Sequence, residues 1–339
     1  MAINPKFTIT LHLSKLIDEI SSLREKIFSS SIKIAWKPQM QREAIIRNAM
    51  GSSAIEGFVL SLPEVTALAQ GKHEIKSLSS TERAVFNYLA ALRKIQKNTP
   101  DKLSNEFICS IHKIIAEGAS HGGTPGNYRT VQNYIVDAFG QVVYKPPKPE
   151  EIPGLMDGFV EFVNTRAQDY LPVISSGIIH YEFVAIHPFV DGNGRAGRIL
   201  GTWELFRRKF DTEHIFAIDD IIYDHKGAYY KALETVRREK EDLTHWLEFY
   251  VETVAESLSR AWHRIMRLPK TTASEALSLT PRQEKLINLL KDGDNLSAKD
   301  IAKSLRITVQ GVHFILKPLL KARMLCRRGG KKTGTFGLK

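Results

Sequence analysis

The sequence predicts a mainly α-helical protein with one β-hairpin near its middle and a small second unit of helices and strands at its C-terminus. Three observations lead there. Apolar residues recur at spacings of three and four through most of the first 265 positions, whereas β-branched and aromatic runs are confined to 128–144. The apolar pattern lapses over a Pro-, Thr-, Ser- and Ala-containing stretch before it resumes. At 339 residues the chain exceeds one ordinary domain. The division expected is an N-terminal helical region (1–100), a central core (101–265), a linker (266–279) and a C-terminal winged helix-turn-helix (280–339).

Each element has a local reason. Leu11, Leu16, Ile20, Leu23 and Ile27 give residues 11–28 an amphipathic stripe. A second helix starts after Pro38 and ends at Gly57, a residue suited to a left-handed stop. Ser79-Ser80-Thr81-Glu82 is a capping box for a helix reaching Ile95. Residues 104–116 carry Phe107, Ile108, Ile111, Ile114 and Ile115 on one side, with His112 read as a structural histidine. After the turn-rich 122–126, runs at 128–136 and 141–144 flank Ala138-Phe139-Gly140, and Pro146-Pro147 ends them, which predicts the hairpin. Residues 174–186 form an apolar helix ending at His187, with His180 structural. Helical patterns follow over 195–208, over 219–233 with Tyr223, Tyr229 and Tyr230, and over 243–264 with Trp246, Phe249 and Trp262. Beyond the linker, Thr280-Pro281 starts a helix to Leu290, Ser297-x-x-Asp300 caps a second to Leu305, and Thr308 starts a third. Residues 324–328 and 335–338 pair around Gly329-Gly330 as a wing. Gly311 and Pro318 depart from an ideal recognition helix, and Pro318 is expected to kink it.

The net charge of +11 is unevenly spread. Lys317, Lys321, Arg323, Arg327, Arg328, Lys331, Lys332 and Lys339 fall in the last stretch, which contains no Asp or Glu. This footprint suits DNA contact through 280–339, with protein docking as the alternative use of the same fold. No run of about 18 apolar residues exists to span a membrane. Two distant cysteines, Cys109 and Cys326, and the absence of a leader-like start lead to the expectation of a reducing, cytoplasmic setting.

The chemistry concentrates in residues 187–198, His-Pro-Phe-Val-Asp-Gly-Asn-Gly-Arg-Ala-Gly-Arg. His187 takes up a proton near neutral pH. Asp191 suits a Mg²⁺ whose other ligands are phosphates and waters. Gly192 and Gly194 allow a concave nest of backbone N–H groups at the positive end of the following helix. Arg195 and Arg198, three apart, reach one polyphosphate from the same helix face. The residues by themselves indicate a base, a metal and a phosphate site.

This segment resembles the signature H-P-F-x-[DE]-G-N-G-R-x-x-R of the Fic family at every fixed position. The resemblance implies a Fic-type helical core and transfer of AMP from ATP to a Ser, Thr or Tyr hydroxyl of a protein, that protein being another or the enzyme itself. It implies His187 as general base, Asp191 on Mg²⁺, Asn193 and the glycine nest on the α- and β-phosphates, and Arg195 and Arg198 on the outer phosphates. It also implies a target protein docked as an added strand on the 128–145 hairpin, whose Gly126-x-Tyr128-Arg129 and Pro146-Pro147 are similar to the family's. An adenine pocket falls near Tyr229 and Tyr230, where either ring could stack on the base. Gly194 favours adenylyl over phosphoryl transfer, because phosphoryl-transferring relatives carry lysine there.

Upstream, Ser52-x-x-x-Glu56-Gly57 resembles the family's inhibitory motif [S/T]-x-x-x-E-[G/N]. Ser52 and Glu56 share a helix face, and a carboxylate at a helix C-terminus is unfavourable unless a cation meets it. The resemblance implies Arg198 as that cation, with the pair standing where the γ-phosphate belongs. Two rivals remain open in the sequence: a hydrolase that removes AMP from protein using Glu56, and a nucleotide-sensing DNA-binding regulator. A homodimer is also open.

Overall fold

The structure, a computed structural model, describes all residues except 1–2, 30–36, 72–76, 120–121, 137–138, 212, 268–280, 291–294, 322–323, 331–333 and 339. Helices α1 (Leu11–Ser29), α2 (Lys37–Ile55), α3 (Leu62–Ala69), α4 (Ser80–Lys97) and α5 (Asn105–Ala116) precede the hairpin. Helices α6 (Ile152–Thr165), α7 (Pro172–Ile186), α8 (Asn193–Arg207), α9 (Ile218–Asp224), α10 (Lys226–Arg238) and α11 (Thr244–Arg267) follow it. One continuous apolar core runs from Leu13 to Ala261. The stretches 1–100 and 101–265, expected as separate regions, therefore form one packed body.

Helix α7 is the centre of that body. Val173, Ile174, Ile178, Ile179 and Phe183 are all buried, as a helix with no polar face requires. It lies against α8 on one side and α11 on another, where Trp246 donates from Nε1 to the Gly177 carbonyl at 2.8 Å. The cap predicted for α4 forms: Ser79 Oγ accepts from the Glu82 N–H at 3.2 Å, and Glu82 Oε2 accepts from the Ser79 N–H at 2.9 Å. The helix expected over 219–233 is instead two, α9 and α10, separated at His225.

The hairpin is shorter than the sequence suggests. Among the described residues of the hairpin only β1 (Ile135–Val136) and β2 (Val142–Tyr144) pair, antiparallel and with an irregular register. Residues 128–134 are not strand, because their side chains are taken up by loops. Arg129 and Asn133 bond to carbonyls of the 187–190 loop and Gln132 to the Pro146 carbonyl, in place of a ladder.

At the C-terminus α12 (Pro281–Leu289), α13 (Ala298–Leu305) and α14 (Val309–Lys321) appear in the expected order, with Pro318 inside α14. Strands β3 (Leu296–Ser297), β4 (Leu325–Arg328) and β5 (Thr335–Leu338) form an antiparallel sheet in the order β3-β5-β4. Leu286, Ile301, Val312, Leu316, Leu319 and Phe336 give this unit its own core. Strand β3 was not expected, since two residues are too few for alternation to register. The linker was expected to begin at 266, but α11 extends through Arg267, and the rest of the linker lies outside the described residues.

Candidate active site

Helix α7 delivers His187 in a left-handed conformation, φ 53° and ψ 57°, with its N–H closing the helix onto the Phe183 carbonyl at 3.0 Å. Its Nδ1 lies 3.1 Å from the Val184 carbonyl. Only an N–H can face a carbonyl, so Nδ1 holds the proton and Nε2 keeps a lone pair. Burial pushes the imidazole pKa down to about 4, and the Arg129 guanidinium pushes the same way. His187 is therefore neutral at physiological pH and able to accept a proton.

The loop that follows is tied shut from several directions. Asn193 accepts from the Phe189 N–H at 2.9 Å and donates to the Phe189 carbonyl at 2.8 Å. Its amide oxygen and nitrogen are both engaged there and it is 2% exposed, so in this structure the side chain closes the loop. His112 stacks on Phe189 at 3.6 Å and bonds the Asp191 carbonyl at 2.9 Å. Arg129, also buried, donates to the carbonyls of His187 (2.8 Å), Val131 (3.0 Å) and Pro147 (2.5 Å). This one guanidinium joins both flanks of the hairpin to the catalytic loop. The sequence reading gave Arg129 no role, and nothing in its spacing marks a side chain that would be buried on three carbonyls.

Gly192 takes φ +78° as the cap of α8, so the chain enters the helix with its first N–H groups turned to the loop. Arg195 and Arg198 are each 1% exposed, and among the described residues Arg195 Nε and Arg198 Nη1 have no hydrogen-bond partner. Buried guanidinium N–H groups without acceptors are costly unless an anion meets them, so the two arginines are built for one. Asp191 accepts from the Gly192 N–H through Oδ1 at 2.6 Å, and its Oδ2 lies 3.7 Å from Arg195 Nη2. Among the described residues there is no cluster of three metal-ligating side chains. The partly exposed Asp191 carboxylate at the start of α8 fits Mg²⁺, which keeps waters and binds phosphates.

Ser52 and Glu56 arrive at this nest from α2. Ser52 is fully buried; its Oγ accepts from Arg198 Nε at 2.7 Å and its carbonyl from Nη2 at 3.0 Å. Glu56 follows the last helical residue, and its Oε1 lies 2.7 Å from Arg198 Nη2. Burial is the largest single influence and lowers the Arg198 pKa, but the Glu56 carboxylate together with Tyr229, Tyr88 and Asp219 outweighs it and the value is raised. The same carboxylate covers the glycine nest: a Cβ on Gly194 would stand 2.3 Å from Glu56 Oε1. Gly57, at φ +92°, reverses the chain, with its N–H on the Ala54 carbonyl and the Phe58 N–H on the Ser53 carbonyl. That is a Schellman turn. It also sets the Phe58 ring 5.2 Å from the Arg195 guanidinium, a contact that the apolar residue after Gly57 could have signalled.

The two tyrosines separate. Tyr229 is 2% exposed and packed among Trp246, Phe249 and His180 in the core. Tyr230 is 45% exposed, its hydroxyl 3.4 Å from the Ile55 carbonyl beside the inhibitory turn.

Residues 102–205, which include α5, the hairpin, α6, α7, the loop and most of α8, match the profile of the Fic/DOC family. The chain carries a Fic domain. It is similar to the protein adenylyltransferase Fic of Nematostella vectensis, 28% identical over 201 residues, 58% of this chain and 45% of that protein. The counterpart in Aedes aegypti is 25% identical over 306 residues, 88% of this chain and 58% of that protein. The chain thus spans about half the length of the curated relatives it matches. Among solved structures, a Fic family protein from Desulfovibrio desulfuricans superposes with a TM-score of 0.69 at 23% identity, covering 99% of this chain and 98% of that one. Fic-1 of Caenorhabditis elegans gives 0.60 at 25% identity, covering 75% and 71%. Most of the helical architecture around the Fic site recurs in these proteins.

Proposed function

We propose that this protein is a self-restrained adenylyltransferase that moves AMP from ATP to a Ser, Thr or Tyr hydroxyl of a protein. The observation that carries the reading is a neutral His187, Nε2 unprotonated, at the rim of an arginine-lined nest that a carboxylate closes. Nε2 takes the proton of the target hydroxyl while its oxygen bonds the α-phosphorus of ATP, and the bond to pyrophosphate breaks. The first turn of α8, Arg195 and Arg198 hold the phosphates. Asp191 would hold Mg²⁺, which neutralises charge on the leaving phosphates. The exposed Tyr230, rather than the buried Tyr229, is assigned to the adenine.

In the resting state Glu56 stands in for the outer phosphate on Arg198, so ATP must displace it. The target protein lies along the hairpin, held in register with His187 by Arg129. The C-terminal unit, with its winged-helix order of elements and basic charge, is assigned to the DNA backbone. Among the described residues no helix is long and apolar enough to cross a membrane, and Cys109 and Cys326 are free thiols, which supports a reducing, cytoplasmic setting. ATP labelled on the α-phosphate, run beside ATP labelled on the γ-phosphate, tests the reaction: protein should retain only the α-label. Retention of the γ-label would make this a phosphoryl transferase, and loss of AMP from pre-labelled protein would make it a hydrolase.

A further inference from the structure

Helix α2 carries the inhibitory turn at one end, and at the other it forms a wall of a cleft of about 930 Å³. The opposite walls come from α3, α4 and the edge of the C-terminal sheet. The volume is that of a typical site for a small ligand, roughly 300–1,000 Å³.

The lining has a distinct chemistry. Among the described residues it presents five cations, Arg42, Arg47, Arg93, Lys97 and Arg328, against one carboxylate, Glu43. Glu43 accepts from Gln39 at 2.9 Å and also supports the charge of Arg42, Arg93 donates to the Ala69 carbonyl at 2.7 Å, and Arg47 leans on Asp220 at 3.4 Å, outside the lining. Burial lowers the pKa of Arg42, so its charge stands in a poorly solvated place where an anion is attracted strongly. Six side-chain amides, among them Gln41, Gln96 and Asn295, complete the polar lining, with Ile45, Ile46 and Leu338 between them. Clustered guanidinium groups suit phosphate; amides and short apolar patches suit the organic body attached to it.

We propose that this cleft binds a small organic phosphate of about nucleotide size, and that its occupancy acts on the inhibitory turn through α2. The second half rests on the reading of Glu56 as a brake. Arg42 and Glu56 are joined by one helix, about 20 Å apart at 1.5 Å per residue. A ligand drawing Arg42 toward Arg93 and Arg328 shifts or fixes the same rigid element that seats Ser52 and Glu56 on Arg198. By linkage, whatever changes the seating of Glu56 must in turn change affinity in the cleft.

Calorimetric titration of the full-length protein with sodium tripolyphosphate tests both halves without any transfer reaction. Wild type should bind one equivalent in the cleft. The variant Arg42→Ser with Arg328→Ser should bind at least tenfold more weakly, whereas Arg195→Ala, which removes a cation of the nest but leaves Glu56 on Arg198, should bind as wild type does. Arg328 is exposed, so Arg328→Glu alone keeps the fold testable and should weaken binding on its own. No heat of binding in wild type, unchanged affinity in both the double variant and Arg328→Glu, or loss of binding in Arg195→Ala would overturn the site. For the coupling, Glu56→Gly should change at least threefold the affinity of the equivalent that Arg42→Ser with Arg328→Ser removes, as distinct from any second equivalent at the opened nest, and an unchanged value would overturn that half. Because heat of binding is read rather than label transfer, failure of the adenylyltransferase reading would leave these outcomes unaffected.

Discussion

Replacing Glu56 with glycine isolates one ion pair whose strength can be bounded from its surroundings. Arg198 is fully buried at its side chain, whereas Glu56 keeps 31% of its side-chain surface exposed. A fully exposed pair contributes about 0.2–1 kcal/mol. Breaking a fully buried one costs about 3–5 kcal/mol. At 2.7 Å, half in water, the Glu56–Arg198 contact belongs between these limits, at about 2 kcal/mol, in line with hydrogen bonds to charged groups. The outer phosphate of ATP must replace that contact before it can use Arg198. Removing it should therefore raise productive ATP occupancy by about 30-fold at subsaturating ATP, since each 1.4 kcal/mol is tenfold. Transfer of α-labelled AMP, self-modification included, should rise by a similar factor in Glu56→Gly. Arg198→Ala should not show the rise, because it removes the anchor of the brake and a phosphate ligand together. A Glu56→Gly protein no more active than wild type with ATP and Mg²⁺ would refute the reasoning, and an equal gain in Arg198→Ala would refute the phosphate role of Arg198.

Four other perturbations follow from the same geometry. His187→Ala should lower transfer by about 10²–10⁴-fold with ATP binding intact; because the His187 pKa is pushed down to about 4 and the base works only when neutral, activity in the released protein should fall on the acid side near that pH, and a limb near 6.5 would place His187 outside the buried site. Arg129→Ala strips three carbonyls of their donor and should lower stability by about 2 kcal/mol or more, with kcat falling further than KM for ATP rises, Arg129→Lys recovering part of both. Gly57→Ala puts a Cβ at φ +92°, at a cost of about 1 kcal/mol, and should release transfer several-fold with Glu56 still present, read by the same label assay. Deleting 280–339 from Glu56→Gly should abolish duplex DNA binding and spare AMP transfer, and the intact protein's affinity should fall steeply with salt; salt-insensitive binding would favour a protein partner.

What was legible in the sequence was whatever is decided within a few residues. The 187–198 loop states its parts in order, and the caps at Ser79 and Ser297 form where an oxygen-bearing side chain precedes an acidic one by three. What was not legible depends on which polar groups the fold buries. Asn193 reads equally well as a phosphate ligand or a loop closer, and only the position of the Phe189 backbone decides it. Tyr229 and Tyr230 are neighbours in sequence, but a helix turns about 100° per residue, so one enters the core and the other meets solvent. The hairpin was overextended because period-two alternation cannot show that Arg129 and Asn133 are claimed by a loop some sixty positions away.

The packing of helix α2 would make the proposed brake both accurate and reversible. Its sequence lacks a clean apolar stripe, and it docks by directional bonds as well as by Met40, Ala44 and Ile55. Asn48 donates to the Phe216 carbonyl at 3.0 Å and accepts from the Asp219 N–H at 2.9 Å. Gln41 donates to the Glu213 carbonyl at 2.8 Å. Gly51 lets the helix touch the α9 backbone, where a Cβ would fall 2.4 Å from the Asp219 carbonyl oxygen. An apolar seam alone tolerates sliding and rotation; these bonds do not, because a shift of one residue breaks them all and turns Ser52 and Glu56 away from Arg198. Each bond contributes only about 1 kcal/mol net, since water replaces it when the helix lifts. The seating is thus specific in geometry yet modest in free energy, within reach of what a bound nucleotide or a ligand at the far end of α2 can supply.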